Sequence, residues 1–305
     1  MKNAFIFPGQ GSQYPGMGKE IAENFRIAAD TFSEADDALG LSISKICFEG
    51  PEEDLKLTAN TQPAILTVSI AILRVIQTEY PVKPSYLAGH SLGEFSALVA
   101  AGAFDFGDAV RIVRARGKFM QEAVPIGVGS MAAILGVEPD ILTDICQEAA
   151  QGEVVSPANF NSPGQIVIAG HTGAVNRAVE IAKGRGFRKA MLLPVSAPFH
   201  CSLMTPAGEH LSETLEKVRI NPLQIPVVTN VEALPNLDGD HVRELLVKQL
   251  SAPVLWDKSV MRMLEEGVER FIEVGPGKVL TGLVKRISKN VEVCNIEDTM
   301  TMKTL

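Results

Sequence analysis

Residues 85–104 read SYLAGHSLGEFSALVAAGAF, and the organisation of the whole chain follows from how that stretch folds. A short apolar run at Tyr86–Ala88 gives way to small residues, then to a long apolar segment free of breakers. The pattern predicts a strand, a sharp turn and a helix. At the turn stands Gly89-His90-Ser91-Leu92-Gly93, the G-x-S-x-G spacing of a nucleophile elbow. Glycines at both ends let the backbone fold tightly, so the Ser91 hydroxyl projects while the Leu92 N–H opens a helix. The positive end of that helix can stabilise an oxyanion.

Moving outward, strands and helices alternate. NAFIF (3–7) reads as a short buried strand ending at Pro8, and PAILTVSIAILRVIQTEY (63–80) as a buried helix with Pro63 in its first turn. This alternation implies a mostly parallel sheet covered on both faces. The middle of the chain has another rhythm. GSMAAIL (129–135) reads as a strand, EPDILTDICQEAA (138–150) as a helix and EVVSPANFNSPGQIVIAG (153–170) as a hairpin. GAVNRAVEIAKGRG (173–186) then reads as a helix and RKAMLLPVS (188–196) as a last strand. The order β-α-β-β-α-β is the ferredoxin-like unit. Afterwards QIPVVTN (224–230) and RFIEVGP (270–276) resume the strand pattern, with HVRELLVKQL (241–250) a helix between them. The expected fold class is therefore α/β: a hydrolase-like, mostly parallel sheet covered by helices, with an inserted ferredoxin-like α+β subdomain. Residues 1–123 and 197–305 would form the large part and residues 124–196 the small one, with a cleft between them where ligand sites tend to occur.

Composition narrows the function classes. The chain has 305 residues, enough for one large domain with an insert or for two domains. Hydrophobic residues make up 46% and charged residues 21%, which suits a globular protein with a sizeable core. A net charge of −8 gives no electrostatic case for nucleic acid. Cys47, Cys146, Cys201 and Cys294 stand far apart, with no metal-ligand spacing, and suit free thiols in a reducing compartment. The apolar run before Pro8 is too short for a signal peptide, and no apolar run reads as membrane-spanning. The expectation is a soluble, cytoplasmic protein acting as a monomer.

A serine nucleophile needs a base, and the chain offers five histidines. His90 adjoins Ser91, and neighbours at an elbow point apart, so it reads as support for the turn. His171 stands at a helix start, where capping is the simpler role. His210 and His241 lie among polar and charged residues and read as solvated. His200, in SAPFHCSLM, follows a strand and is walled by Pro198 and Phe199. The pattern leaves it between the base and a core histidine, and reads Cys201 as a small core residue. The glycine-rich PGQGSQYPGMGK (8–19) fails as a phosphate loop. Gln13 takes the first glycine position of a Walker loop, Glu20 follows Lys19, and Tyr14 replaces the third glycine of the dinucleotide pattern. What remains is a loop with exposed N–H groups that could supply a second oxyanion donor.

Seven blocks in order resemble the malonyl-CoA:acyl carrier protein transacylases: FPGQGSQ (7–13), TQPAI (61–65), GHSLGE (89–94), RARGKFMQEA (114–123), ANFNSPGQIVIAG (158–170), SAPFHCSLM (196–204) and EVGPGKVL (273–280). The resemblance covers nearly the whole chain. It implies that Ser91 is the nucleophile and His200 its general base. A backbone carbonyl matching Gln249 would hold the other histidine nitrogen, where hydrolases use an aspartate. The backbone N–H groups of Gln10 and Leu92 match the oxyanion hole. Arg116 matches the arginine that binds the free carboxylate of the malonyl group, which a guanidinium fork can grip at two points. Read alone, Arg116 is a surface ion pair. Gln62 and Asn159 match pocket-lining positions. The reaction implied is ping-pong transfer of malonyl from malonyl-CoA to the phosphopantetheine thiol of acyl carrier protein, supplying fatty acid synthesis, with no metal or cofactor beyond the coenzyme A thioester substrate.

Carrier proteins of such systems are strongly acidic, so docking on an acidic chain needs a local basic face. Lys183, Arg185, Arg188 and Lys189 in KGRGFRK, or Lys285, Arg286 and Lys289 in VKRISK, could form one, although clusters of this size are more often solvated surface. Phe199 beside His200 suits a small acyl group. Polyketide acyltransferases share these motifs, and a chain ending soon after its last block is expected of the free-standing enzyme. A serine hydrolase or a non-catalytic carrier-binding scaffold are the competing readings.

Overall fold

The computed structural model describes residues 1–195 and 197–305. Its larger sheet is built from β1 (Asn3–Phe7), β2 (Tyr86–Gly89), β7 (Val227–Val228), β8 (Pro235–Asn236), β9 (Arg270–Val274) and β10 (Glu292–Ile296). The strand order is β10-β9-β1-β2-β7-β8. All pairs are parallel except the edge pair β7–β8. The smaller sheet holds β3 (Gly129–Leu135), β4 (Val155–Ser162), β5 (Gln165–His171) and β6 (Ala190–Leu192), in the antiparallel order β4-β5-β3-β6. That is the strand order of a ferredoxin-like unit, and with the parallel sheet it gives the α/β architecture expected.

Each sheet is covered according to its chemistry. β1 reads as an almost continuous apolar run because both its faces are buried, and β9 is buried along its whole length although it carries Arg270 and Glu273. On one face Phe5, Phe7 and Ile272 join the main core with the Thr58–Glu79 helix. On the other Ala4, Ile6 and Phe271 pack with Trp256 and Leu280. The small sheet packs one face on the Pro139–Ala150 and Thr172–Gly184 helices, around Ile134, Ile145, Ile168 and Val175.

Several elements differ from the sequence pattern. The long helix starts at Thr58, so Pro63 lies inside it rather than in its first turn. Proline there cannot bond the Ala59 carbonyl, and Arg114 Nη1 donates to that oxygen at 3.5 Å. By length and composition this helix could cross a membrane, which corrects the reading that no stretch could. Yet 83% of its most apolar window is buried inside the protein. The strand expected over 188–196 shrinks to Ala190–Leu192, with Ser196 outside the described residues. The strand expected over 224–230 shrinks to Val227–Val228. After β6 the chain leads to Leu193 and Val195 in the cavity wall, and after β7 it turns back at Thr229, whose N–H donates to the Leu234 carbonyl at 3.1 Å.

The parallel strands aim their carboxyl ends at one crevice. After β1 comes the loop with Gly9 and Gln10, after β2 the Ser91 turn, after β7 Asn230 and after β9 Gly275. Ligands of open α/β sheets bind at that edge. The small sheet meets the same edge where Phe160 and Val254 donate backbone N–H groups to Val254 and Ala158 carbonyls, each at 2.9 Å.

Candidate active site

The elbow forms because two glycines permit close approach. A Cβ on Gly89 would collide with the backbone of Gly93, and one on Gly93 with the Phe7 carbonyl. Ser91 is thereby held at φ 51, in the left-handed region that costs a side-chain-bearing residue about 1 kcal/mol or more. The strain is tied down by Asn230. Its Oδ1 accepts the Ser91 backbone N–H at 2.6 Å and its Nδ2 donates to the Gly89 carbonyl at 2.6 Å. His200 is held likewise, at φ 61, with its N–H donating to the Leu250 carbonyl at 3.1 Å.

The two side chains, 109 positions apart, meet. Ser91 Oγ lies 2.8 Å from His200 Nε2, and His200 Nδ1 lies 2.8 Å from the Gln249 backbone carbonyl. A carbonyl only accepts, so Nδ1 carries the proton and Nε2 presents its lone pair to the serine hydroxyl. Burial first, and the Arg116 charge second, push the imidazole down to about 3, so the ring is neutral at physiological pH. A neutral imidazole with its lone pair on a hydroxyl can accept that proton.

Arg116 is buried, not a surface ion pair. It projects from the Phe106–Glu122 helix, with Nη1 donating to Gln62 Oε1 at 2.8 Å. Its Nη2 donates to Gln249 Oε1 at 2.9 Å and to Ser91 Oγ at 3.1 Å, and the guanidinium lies over the Phe95 ring. Burial pushes it down to about 10, with Glu94 opposing the shift, so it remains a cation at neutral pH. Its Nε is buried and has no partner among the described residues.

Ser91, His200, Arg116 and Gln62 share a cavity of about 120 Å³ with Gln10, Leu92 and Asn159, walled by Met120, Met131, Leu193, Val195 and Phe199, and Gln249 stands behind it. Asn159 sits at a register shift in β4, which turns it towards the cavity. The backbone N–H groups of Gln10 and Leu92 have no acceptor among the described residues. All eight residues singled out in the sequence are thus brought to one place. The cavity can hold a small acyl group with a terminal anion, next to a hydroxyl and its base.

The remaining histidines separate from this site in different ways. His90 lines the cavity, and its Nε2 meets Asn161 Oδ1 at 2.8 Å. His171 does not cap with its side chain; its Nδ1 accepts from Val154 N–H at 2.9 Å. His210 is exposed against Phe119, and His241 lies near Glu232 and Glu244. Cys201 is a buried thiol, pushed up to about 11 by burial, with Sγ 3.2 Å from the Pro198 carbonyl.

Residues 4–303 match the family model described as "Acyl transferase domain". The chain belongs to the acyl transferase family. It is 54% identical to a malonyl CoA-acyl carrier protein transacylase of Escherichia coli strain K12, over 93% of this chain and 92% of that one. A crystal structure of an acyl carrier protein S-malonyltransferase from Vibrio cholerae superposes with a TM-score of 0.98 at 48% identity, covering 100% of this chain and 99% of that one. A malonyl-transacylase in complex with a type II PKS acyl-carrier protein gives a TM-score of 0.98 at 47% identity, covering 100% and 98%.

Sequence reasoning missed two members of this acyl transferase site. Asn230 follows a short strand and gives no signal besides its type. Glu94 stands inside the GHSLGE block and reads as an ordinary acidic residue in a first helical turn, yet it is 2% exposed. Burial pushes its carboxyl up to about 7.

Proposed function

We propose that this chain transfers a malonyl group from malonyl-CoA to the phosphopantetheine thiol of an acyl carrier protein, for fatty acid synthesis. The observation that carries this reading is a single oxygen. Ser91 Oγ lies 2.8 Å from a neutral imidazole and 3.1 Å from a buried guanidinium. The first contact activates a nucleophile; the second places a cation where the free carboxylate of a short diacid would lie.

His200 Nε2 takes the Ser91 proton as Oγ attacks the thioester carbonyl. The Gln10 and Leu92 N–H groups receive the oxyanion, each worth about 3–4 kcal/mol in the barrier. The tetrahedral intermediate then expels coenzyme A, whose sulfur takes the proton from His200. The malonyl ester stays on Ser91, with its carboxylate on Arg116. The carrier thiol next gives its proton to His200 and attacks the ester. Collapse returns the proton to Ser91 Oγ and releases the malonyl-carrier thioester. A neutral carbonyl behind His200 stabilises the transient imidazolium less than a carboxylate would. Gln62 steadies the guanidinium, Asn159 and Phe199 bound the acyl space, and residues 124–196 supply one wall of the cleft.

For the carrier, Arg188 and Lys189 supply the local basic face. Lys183 and Arg185 are engaged by Glu180 and Glu148. Arg188 and Lys189 are exposed and lead through β6 to Leu193 and Val195 in the cavity wall.

The test is intact mass after mixing with malonyl-CoA. The wild type should gain one malonyl-sized adduct that is absent in Ser91→Ala. No adduct on the wild type would defeat the reading. Arg116→Ala should abolish the preference for malonyl over acetyl thioesters, whereas a simple esterase would be indifferent.

A further inference from the structure

Behind Ser91 lies a hydrogen-bond network that the acyl-transfer steps do not themselves use. Glu94 Oε2 accepts from Gln249 Nε2 at 2.8 Å and from the Asn230 backbone N–H at 3.0 Å. Gln249 Nε2 also donates to the Ser91 carbonyl at 3.1 Å and faces Asn230 Oδ1 at 3.4 Å. Every polar neighbour of this NH₂ group is therefore an oxygen placed to accept from it. At the other end of the same amide, Oε1 receives Arg116 Nη2 at 2.9 Å.

An amide side chain can sit in either of two orientations. Rotated, Gln249 would press its NH₂ against a guanidinium and its oxygen against a carboxylate and a carbonyl. Both contacts are repulsive, and Gln249 is fully buried, so little screening is available. Glu94 contributes the acceptor with two N–H groups already on one oxygen, and once ionised it is the strongest of the set. Glu94 does not line the cavity, and its side-chain hydrogen bonds go to Gln249 and Asn230, which do not line it either.

We propose that Glu94 is a positioning residue for acyl-group selection. By fixing the side-chain amide of Gln249, it presets Arg116 to receive the substrate's free carboxylate. The inference rests on the malonyl-transfer reading above. Gln249 thus has two separable tasks: its backbone carbonyl orients His200, and its side chain orients Arg116. Loss of Glu94 should weaken carboxylate recognition more than it weakens serine activation.

The experiment measures acyl-serine formation by intact mass, as a second-order rate, with malonyl-CoA and with acetyl-CoA, which lacks the carboxylate. In Glu94→Ala the malonyl-to-acetyl ratio should fall about tenfold, the loss expected when a charge-assisted contact is misplaced. Glu94→Gln keeps an acceptor oxygen for Gln249 and should hold the ratio within about threefold of wild type. Gln249→Leu retains the backbone carbonyl and should lower the ratio as Glu94→Ala does, so it carries the test if Glu94→Ala does not fold. Equal losses on both substrates, an unchanged ratio in Gln249→Leu, or a fall in Glu94→Gln as large as in Glu94→Ala would overturn the proposal. A wild type that takes up acetyl but not malonyl would instead defeat the transfer reading.

Discussion

At residue scale, the site is governed by what burial does to charge. His200 is neutral because desolvation, reinforced by Arg116, penalises the imidazolium, holding the ring down to about 3. The acid limb of acyl-serine formation should therefore lie far below the usual histidine range near 6.5. With acetyl-CoA, which lacks the carboxylate that Arg116 and Glu94 serve, rates at pH 5.5 and 7.5 should agree within about twofold, and a half-point close to 6.5 would contradict this. Arg116 makes a second prediction. A lysine at this position is a single point donor and cannot serve Gln62, Gln249 and a carboxylate together. Arg116→Lys should cut kcat/KM for malonyl-CoA by about 100-fold while leaving acetyl transfer within about threefold. The elbow of Ser91 was legible in the residues, whereas the pattern left His200 between base and core histidine and only the family resemblance pointed to it. The burial of Arg116 was not legible, because an arginine in a helical run looks the same on either face.

At element scale, close packing around the elbow decides stability. Gly93→Ala would drive a methyl group into the Phe7 carbonyl, on a strand locked between β2 and β9. The loss should be about 3 kcal/mol or more, read as a large drop in melting temperature, and a small drop would show that the elbow can yield. Glu273, at the end of β9, receives the Leu280 and Thr281 N–H groups at 3.0 and 2.7 Å and so caps the Val279–Ile287 helix. Burial pushes its carboxyl up to about 7 from 4.5. The native state then keeps this proton where the unfolded chain has lost it, so the contribution of Glu273 to stability declines as pH rises from about 4.5 to 7. Urea melts at pH 5 and pH 8 should show Glu273→Gln gaining on wild type at the higher pH, by on the order of 1–3 kcal/mol. The periodicity of the sequence located these elements well. It misjudged the ends of the Thr58–Glu79 helix and of β6, because tertiary partners, not local preference, decide where pairing stops.

At the scale of the whole molecule, a chain of net charge −8 that docks an acidic carrier, as proposed, needs a local basic face. Charge reversal of Arg188 and Lys189 to glutamate should raise KM for the carrier about tenfold and leave acyl-serine formation from malonyl-CoA unchanged. Equal effects on both half-reactions would remove these residues from the docking face.

The sequence by itself determined the alternation of strands and helices, the elbow and the inserted antiparallel unit, since periodicity and glycine spacing are local properties. Through the resemblance of its motifs it also pointed to the residues around Ser91. Only the tertiary structure decided that Gln249 serves with both its backbone and its side chain, that Glu94 and Asn230 stand behind the nucleophile, and that Arg116 is buried. Those facts depend on contacts between residues 49 to 158 positions apart, where hydrogen-bond geometry and desolvation, rather than neighbouring sequence, set the outcome.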